Sequence, residues 1–317
     1  MSAGEADRSR VRTVPIGLRH NKVDSSLLAT PPGPDRDFDA FLASLPDTLA
    51  ARDLRLVIER TRQARTKGAA VVLLLGGHVI KVGLGPLVGR LIDEGLVGHV
   101  AMNGAAAIHD FELAAYGGTS EDVESGLADG TFGMAEETGR DMNTAITQAA
   151  ARHEGLGQGL ANALLGMDPL PGRDVSILVR AARRQVPVTV HTAIGAEITH
   201  QHPMADGAAI GATSLRDFDR LAGSLPRLDQ GGVVMNWGSA VMMPEVFLKA
   251  LTVARNLHQG KPAGFLAADF DMIRHYRPLM NVVRRPTRGR GEGVQITGHH
   301  EIMMPLVVWG VLGKDAS

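Results

Sequence analysis

The sequence predicts an α/β protein built on a single doubly wound, mostly parallel sheet with helices on both faces. Two observations carry that reading. Short Val/Leu-rich runs recur along the chain, among them "AAVVLLLGG", "VGHVAMNG", "VPVTVHTA", "GGVVMNWG" and "AGFLAADF". Runs that are apolar at nearly every position belong to strands buried on both faces. Segments with helical spacing separate them, and strand–helix alternation of this kind joins parallel strands by crossovers.

The elements follow in order. Residues 1–35 are rich in Pro, Ser, Arg and Asp and end in "TPPGPDRD". They read as an arm, either loose or clasping a neighbouring subunit, and residues 36–317 as one α/β domain. Apolar spacing predicts a helix from Phe38 to Arg65, with Asp47 a plausible N-cap. "PLVGRLIDEG" is a helix closed by Gly95, lying between the first two strands as in a βαβ unit. Helices near 119–128, 139–152 and 174–184 lead to the third strand. Helices at 213–223 and 244–257 precede the fourth and fifth strands. A short strand then leads into "TGHHEIMMP" and a terminal apolar helix.

Composition removes several function classes. The 317 residues are 44% hydrophobic and 21% charged, as in a globular protein, and carry a formal net charge of −1. That balance gives no electrostatic case for nucleic acid or an anionic membrane. Arg284, Arg285, Arg288 and Arg290 form a local basic spot. With almost no aromatic residues nearby for stacking, it reads as a solvated or phosphate-facing loop. The absence of cysteine excludes disulfides, thiolate metal sites and cysteine nucleophiles. No apolar segment suits a secretory signal, and "AAVVLLL" is too short to span a bilayer, so a cytoplasmic protein is expected.

Ligands of such sheets bind beyond the carboxyl ends of the strands, so the segments after each strand hold the candidates. Gly83, Gly85 and Gly89 precede a helix with the spacing GxGxxxG, a weak nucleotide signal. No acidic residue closes the second strand, which argues against a standard dinucleotide domain. His109, Asp110 and Glu112 follow a glycine/alanine turn at a helix start. They could serve as an acid/base or ribose contact, or as a cap and a surface imidazole. Glu197, His200 and His202 in "EITHQHPMADGAAIG" could join His191, His299, His300 and Glu301 around a metal. A metal-free polar pocket is the preferred reading, and no metal is assigned. His299, His300 and Glu301 start a helix whose positive end suits a polar or anionic ligand.

Taken together, the runs "GPLVGRLIDEGLVGHVAMNGAAAIHDFE", "VPVTVHTAIGAEI", "GGVVMNWGSAVM" and "HHEIMMPLVVWG" resemble deoxyhypusine synthase, in order, over about residues 40–312. The resemblance implies a Rossmann-like single domain binding NAD and a homotetramer made of two dimers with active sites at the dimer interface. It also implies chemistry in which an amine is oxidised and an aminobutyl group passes through an enzyme lysine. It places Lys81, Gly83 and Gly85 on a loop facing the cofactor and Asn103, Gly104 and Ala105 in a second cofactor turn. It sets Glu197 beside the ribose, and Gly238 and Ser239 in a glycine-rich turn. His109, Asp110, His202 and Glu301 fall at substrate positions.

The departures are chemical. The family lysine follows its Trp-Gly pair, but here Trp309-Gly310 precedes Val311, and the nearest lysine is Lys314. Aligned instead on Glu301, the lysine position is Val307. An aliphatic group cannot replace a nucleophile. A substrate histidine becomes Met243, and one substrate carboxylate becomes a histidine. The expectation is an NAD-dependent enzyme acting on a small molecule, neutral or anionic, within reach of Arg284 and Arg285. His109, His202, His299 or His300 would act as base, with Asp110 and Glu301 orienting. The alternatives are a non-catalytic NAD-binding oligomer and a metal-dependent hydrolase or lyase.

Overall fold

The strand runs pair as their apolar composition requires. The computed structural model describes residues 5–313; Lys314 lies outside them. The strands are β1 (Val71–Leu75), β2 (His99–Asn103), β3 (Val188–His191), β4 (Val233–Trp237), β5 (Leu266–Asp271) and β6 (Glu292–Thr297). They form one sheet in the order β3-β2-β1-β4-β5-β6, with every neighbouring pair parallel. Chain order reverses between β1 and β4, which marks the expected ligand crevice.

The first helices are α1 (Phe38–Ser44), α2 (Leu49–Lys67), α3 (Gly77–Lys81), α4 (Gly85–Asp93), α5 (Gly104–Tyr116), α6 (Val123–Asp129) and α7 (Glu136–Ala151). They are followed by α8 (Leu156–Leu165), α9 (Ile177–Arg183), α10 (Gly207–Ser224) and α11 (Met242–Leu257). A π-helical segment, Pro278–Arg284, runs into α12 (Arg285–Thr287), and α13 (His300–Leu312) ends the fold. Alternate strand residues feed two cores. Val71, Leu73 and Leu75 pack with Val57 and Ile58 of α2, Phe111 of α5 and Val307 of α13. Val72 and Leu74 pack with Leu221 of α10 and Phe247 and Leu251 of α11. The sheet is therefore doubly wound. Among the described residues no helix is long and apolar enough to cross a membrane.

Several elements differ from the sequence reading, among them α6, which starts at Val123 rather than near 119, and α10, which starts at Gly207 rather than near 213. The helix expected from Phe38 to Arg65 is broken at Leu45, whose extended backbone (ψ 147°) precedes Pro46; a residue before proline disfavours helical geometry. Thr48 occupies the N-cap position of α2, and Asp47 instead accepts a hydrogen bond from Arg55 at 2.8 Å. Helix α8 was not foreseen in its glycine-bearing run. The glycine/alanine turn after β2 is itself helical, so α5 begins at Gly104, with Asn103 Oδ1 accepting from Ala106 N at 2.9 Å.

Asp217 ties three of these elements together. Buried in α10, its Oδ2 accepts from Gly157 N and Val190 N, each at 2.8 Å. Burial pushes its pKa up to about 7. The folded state then holds a proton that the unfolded state has released, so this group's contribution falls as pH climbs from about 4 to 7. Urea unfolding of wild type and Asp217→Asn at pH 4.5 and 7.5 checks this. Wild type should lose about 2–4 kcal/mol relative to the variant between those values, at 1.4 kcal/mol per pKa unit. A pH-independent difference would overturn the assignment.

Candidate active site

A cavity of about 730 Å³ opens beyond the carboxyl ends of the strands, lined by α3, α5, the segment 118–121, α6, α7 and the turn after β3. Helix α5 builds its floor. His109 and Glu112 stand three residues apart, hence on one face, and both line the cavity. Asp110 is about 100° further round the helix and turns inward. Its carboxylate accepts from Ser176 Oγ (2.7 Å), Ile177 N (2.8 Å) and Leu178 N (3.0 Å). It therefore caps α9 from within the core, 1% exposed. Asp110, expected to orient a substrate or base, does not line the cavity: its buried carboxylate accepts three hydrogen bonds from the start of another helix.

His109 belongs to a directed chain of hydrogen bonds. Thr138 Oγ1 donates to Glu112 Oε1 at 2.9 Å, and Thr119 Oγ1 donates to Glu112 Oε2. Thr119 Oγ1 also lies 2.7 Å from His109 Nδ1. Because the threonine proton goes to Glu112, its oxygen is left to accept from Nδ1–H. That fixes the tautomer and leaves Nε2 as the basic nitrogen. Burial lowers the His109 pKa, and the charge of Lys81 lowers it further. The ring is a neutral base.

The turn after β3 supplies the opposite wall. Glu197 lies across the first residue of α5, where a methyl on Gly104 would come 2.3 Å from its Oε1. Ala193 N donates to Oε1 at 2.9 Å, and Oε2 lies 3.0 Å from His200 Nδ1. That nitrogen already accepts from Gly195 N at 3.1 Å, so it has no proton to give, and buried Oε2 has no donor. Burial raises the Glu197 pKa and lowers that of His200. An orphaned buried acceptor costs about 1–3 kcal/mol unless something completes it.

Charge in the cavity differs from expectation. Glu112, Glu121, Glu137 and Glu197 line it, against a single lysine, Lys81. A carboxylate-poor pocket for a neutral or anionic substrate is therefore corrected to an acidic one. Arg284 and Arg285 do not reach it; they stand on the far side of the sheet, beside β6. Sequence reasoning missed Thr119, Thr138, Tyr116, Glu121 and Glu137, which come from loops or unforeseen helix faces. The His109/Glu112 spacing was the one available signal, once α5 is known to start at Gly104.

The remaining predicted residues divide into two sets. Lys81 and Ala105 line the cavity, and Asn103 and Gly104 form the capped start of α5 beneath Glu197. Gly83 closes α3 with a left-handed backbone (φ 81°), and Gly85 packs on the Val175 carbonyl. Neither lines the cavity. Gly238 (φ 65°), Ser239 and His300 gather at the tip of β4, where Ser239 Oγ accepts from Met243 N at 3.1 Å at the start of α11. His300 is fully buried, 4.0 Å from Asp271 Oδ1, with neither ring nitrogen hydrogen-bonded. His299 and Glu301 sit 3.8 Å apart on the surface. The His202 ring lies against Gly139 of α7 and accepts from Met204 N at 3.2 Å. His202, His299 and Glu301 are thus outside the cavity. Among the described residues no three His, Asp or Glu side chains converge on a metal position. His191 is bound to Thr189 Oγ1 at 3.0 Å within β3.

Neither a family model nor a curated protein matches the sequence. Solved structures do match in shape. A candidate deoxyhypusine synthase from Entamoeba histolytica superposes with a TM-score of 0.51 at 12% identity, over 87% of this chain and 93% of that one. ArgZ, an arginine dihydrolase from the ornithine–ammonia cycle in Cyanobacteria, gives 0.50 at 16% identity over 84% of this chain. AgrE in binary complex with L-arginine gives 0.51 at 17% identity, also over 84%. The chain spans about a third of each of the last two proteins. The positions that resemblance gave to a lysine are Val307 and Val311, both buried in the core. The chain has a deoxyhypusine-synthase-like fold.

Proposed function

We propose that the chain is an NAD-dependent enzyme that oxidises a small cationic amine, with His109 as the base. The observation that carries this reading is the Glu112–Thr119–His109 chain on the wall of an acidic cavity. Four glutamates against one lysine favour a cation. The imidazole, neutral with Nε2 free, can take a proton from the substrate ammonium. Loss of that proton frees the nitrogen lone pair to drive hydride departure from the adjacent carbon, leaving an iminium. Glu112 and Thr119 hold the ring and stabilise its protonated form. With valine at 307 and 311 and Lys81 engaged on the cofactor phosphate, the imine is released or hydrolysed rather than passed to the enzyme.

The cofactor assignment rests on Glu197. Its buried, donor-less Oε2 suits a ribose hydroxyl, and Gly104 lets that carboxylate reach the start of α5. Lys81 and the first turn of α5 at Ala105 supply positive charge for phosphate. NAD, when bound, would accept the hydride.

Calorimetric titration with NAD tests the reading. Saturable binding is expected, weakened at least tenfold by Glu197→Ala, together with substrate-dependent reduction of the nicotinamide on a panel of diamines and basic amino acids. No binding, or reduction with anionic substrates alone, would overturn it.

A further inference from the structure

The basic spot near the C-terminus has a cavity of its own. Met280, Val283, Arg284, Arg285, Thr287, Arg288 and Gly293 enclose about 380 Å³ beside β6. The backbone here is unusual: Pro278–Arg284 is π-helical, and π-turns concentrate at functional sites. It passes close to the edge strand because residue 293 is glycine, where a methyl would lie 2.5 Å from the Val283 carbonyl oxygen.

The charge here is not neutralised. Among the described residues, Arg284, Arg285 and Arg288 have no carboxylate within ion-pair distance. Arg285 is held by a neutral acceptor, Asn281 Oδ1, at 2.7 Å. Two further guanidiniums stand behind them, bonded only to carbonyl oxygens: Arg255 to Pro286 O at 2.8 Å, and Arg290 to Gly260 O at 2.8 Å. The nearby carboxylate of Glu292 is spent on Arg60 at 3.0 Å. Elsewhere this chain pairs arginine with acid repeatedly, as in Arg180–Asp93 and Arg55–Asp47. Three guanidiniums on the cavity, backed by two more and none with a carboxylate partner, leave room for an anion with several oxygens.

We propose that this cavity, remote from the acidic one, binds a phosphate-bearing small molecule through Arg284, Arg285 and Arg288. Its size suits a pyrophosphate or a nucleotide phosphate group. Planar guanidiniums match phosphate oxygens two at a time, which lysine would not. One exposed aromatic, Tyr276, stands 3.5 Å from Arg285, and a single ring makes no stacking platform for a single-stranded nucleic acid.

The test is a calorimetric titration of the full chain with pyrophosphate at fixed ionic strength, repeated with inorganic phosphate and a ten-nucleotide oligothymidylate. Pyrophosphate is expected to bind with one-to-one stoichiometry, more tightly than phosphate. Arg284→Ala combined with Arg288→Ala should weaken it at least tenfold. Arg284→Lys with Arg288→Lys should recover only part of that loss. Circular dichroism melts confirm that the variants fold. Absence of saturable pyrophosphate binding, binding indifferent to the alanine pair, or tighter binding of the oligonucleotide would each overturn the proposal.

Discussion

His109→Ala is expected to lower turnover by about 10²–10⁴-fold, the usual share of a positioned base, with little change in thermal stability. The ring is half-buried at a cavity wall, so its loss leaves no large void in the core. Thr119→Val keeps the imidazole but removes the acceptor that fixes its tautomer. A smaller loss, about tenfold, should follow, seen in kcat rather than KM. The acid limb of the pH profile gives an independent check. Burial and Lys81 hold the His109 pKa below its ordinary value. Lys81→Met removes one of those two causes, so the pKa must rise and the acid limb must move to higher pH. Nicotinamide absorbance under saturating substrate reads all three variants. Full activity in His109→Ala would remove the base from the mechanism. An acid limb that stays put in Lys81→Met would remove His109 from the profile.

The fold was legible because strand and helix periods are written directly in the residues. β1, β2 and β4 appear as short apolar runs, and a buried parallel strand allows little else at those positions. The fold also explains what was not legible. His109 and Asp110 are neighbours in sequence and read as a pair, yet a helix turns successive residues by about 100°. One side chain therefore faces the cavity and the other the core. Asn103, an N-cap to the alanine run after it, is the residue in the sequence that separates the pair. Thr119 could not have been found that way. It reaches His109 from a loop whose path is set by tertiary packing, and a single threonine carries no periodic signal. The histidines at 299 and 300 taught the same lesson: one is on the surface, its neighbour fully buried.

The cofactor seat proposed at α5 rests on Glu197, and a steric fact at the glycine turn of β1, which a substitution can test, argues against the alternative seat there. Gly76 ends β1 with an ordinary extended backbone, φ −95° and ψ 162°. Its glycine identity is therefore no matter of conformational freedom. A methyl there would lie 2.1 Å from the Gly238 carbonyl oxygen and 2.6 Å from its carbon. Both groups belong to the chain leaving the central strands, where Gly76 N donates to Trp237 O at 2.9 Å. Neither can swing aside as a side chain could. Gly76→Ala should thus cost about 3 kcal/mol, at the upper end of overpacking, and lower Tm by roughly 4–6 °C for a domain of this size. Gly83→Ala is the contrasting case. Its left-handed φ of 81° disfavours alanine, but the surroundings are open, so the cost is confined to about 1–2 kcal/mol of backbone strain. Calorimetric melts should rank Gly76→Ala well below Gly83→Ala. Equal melting points would mean that the tips of β1 and β4 can part. The crevice between them would then have room for a pyrophosphate, and the seat at α5 would lose its steric reason.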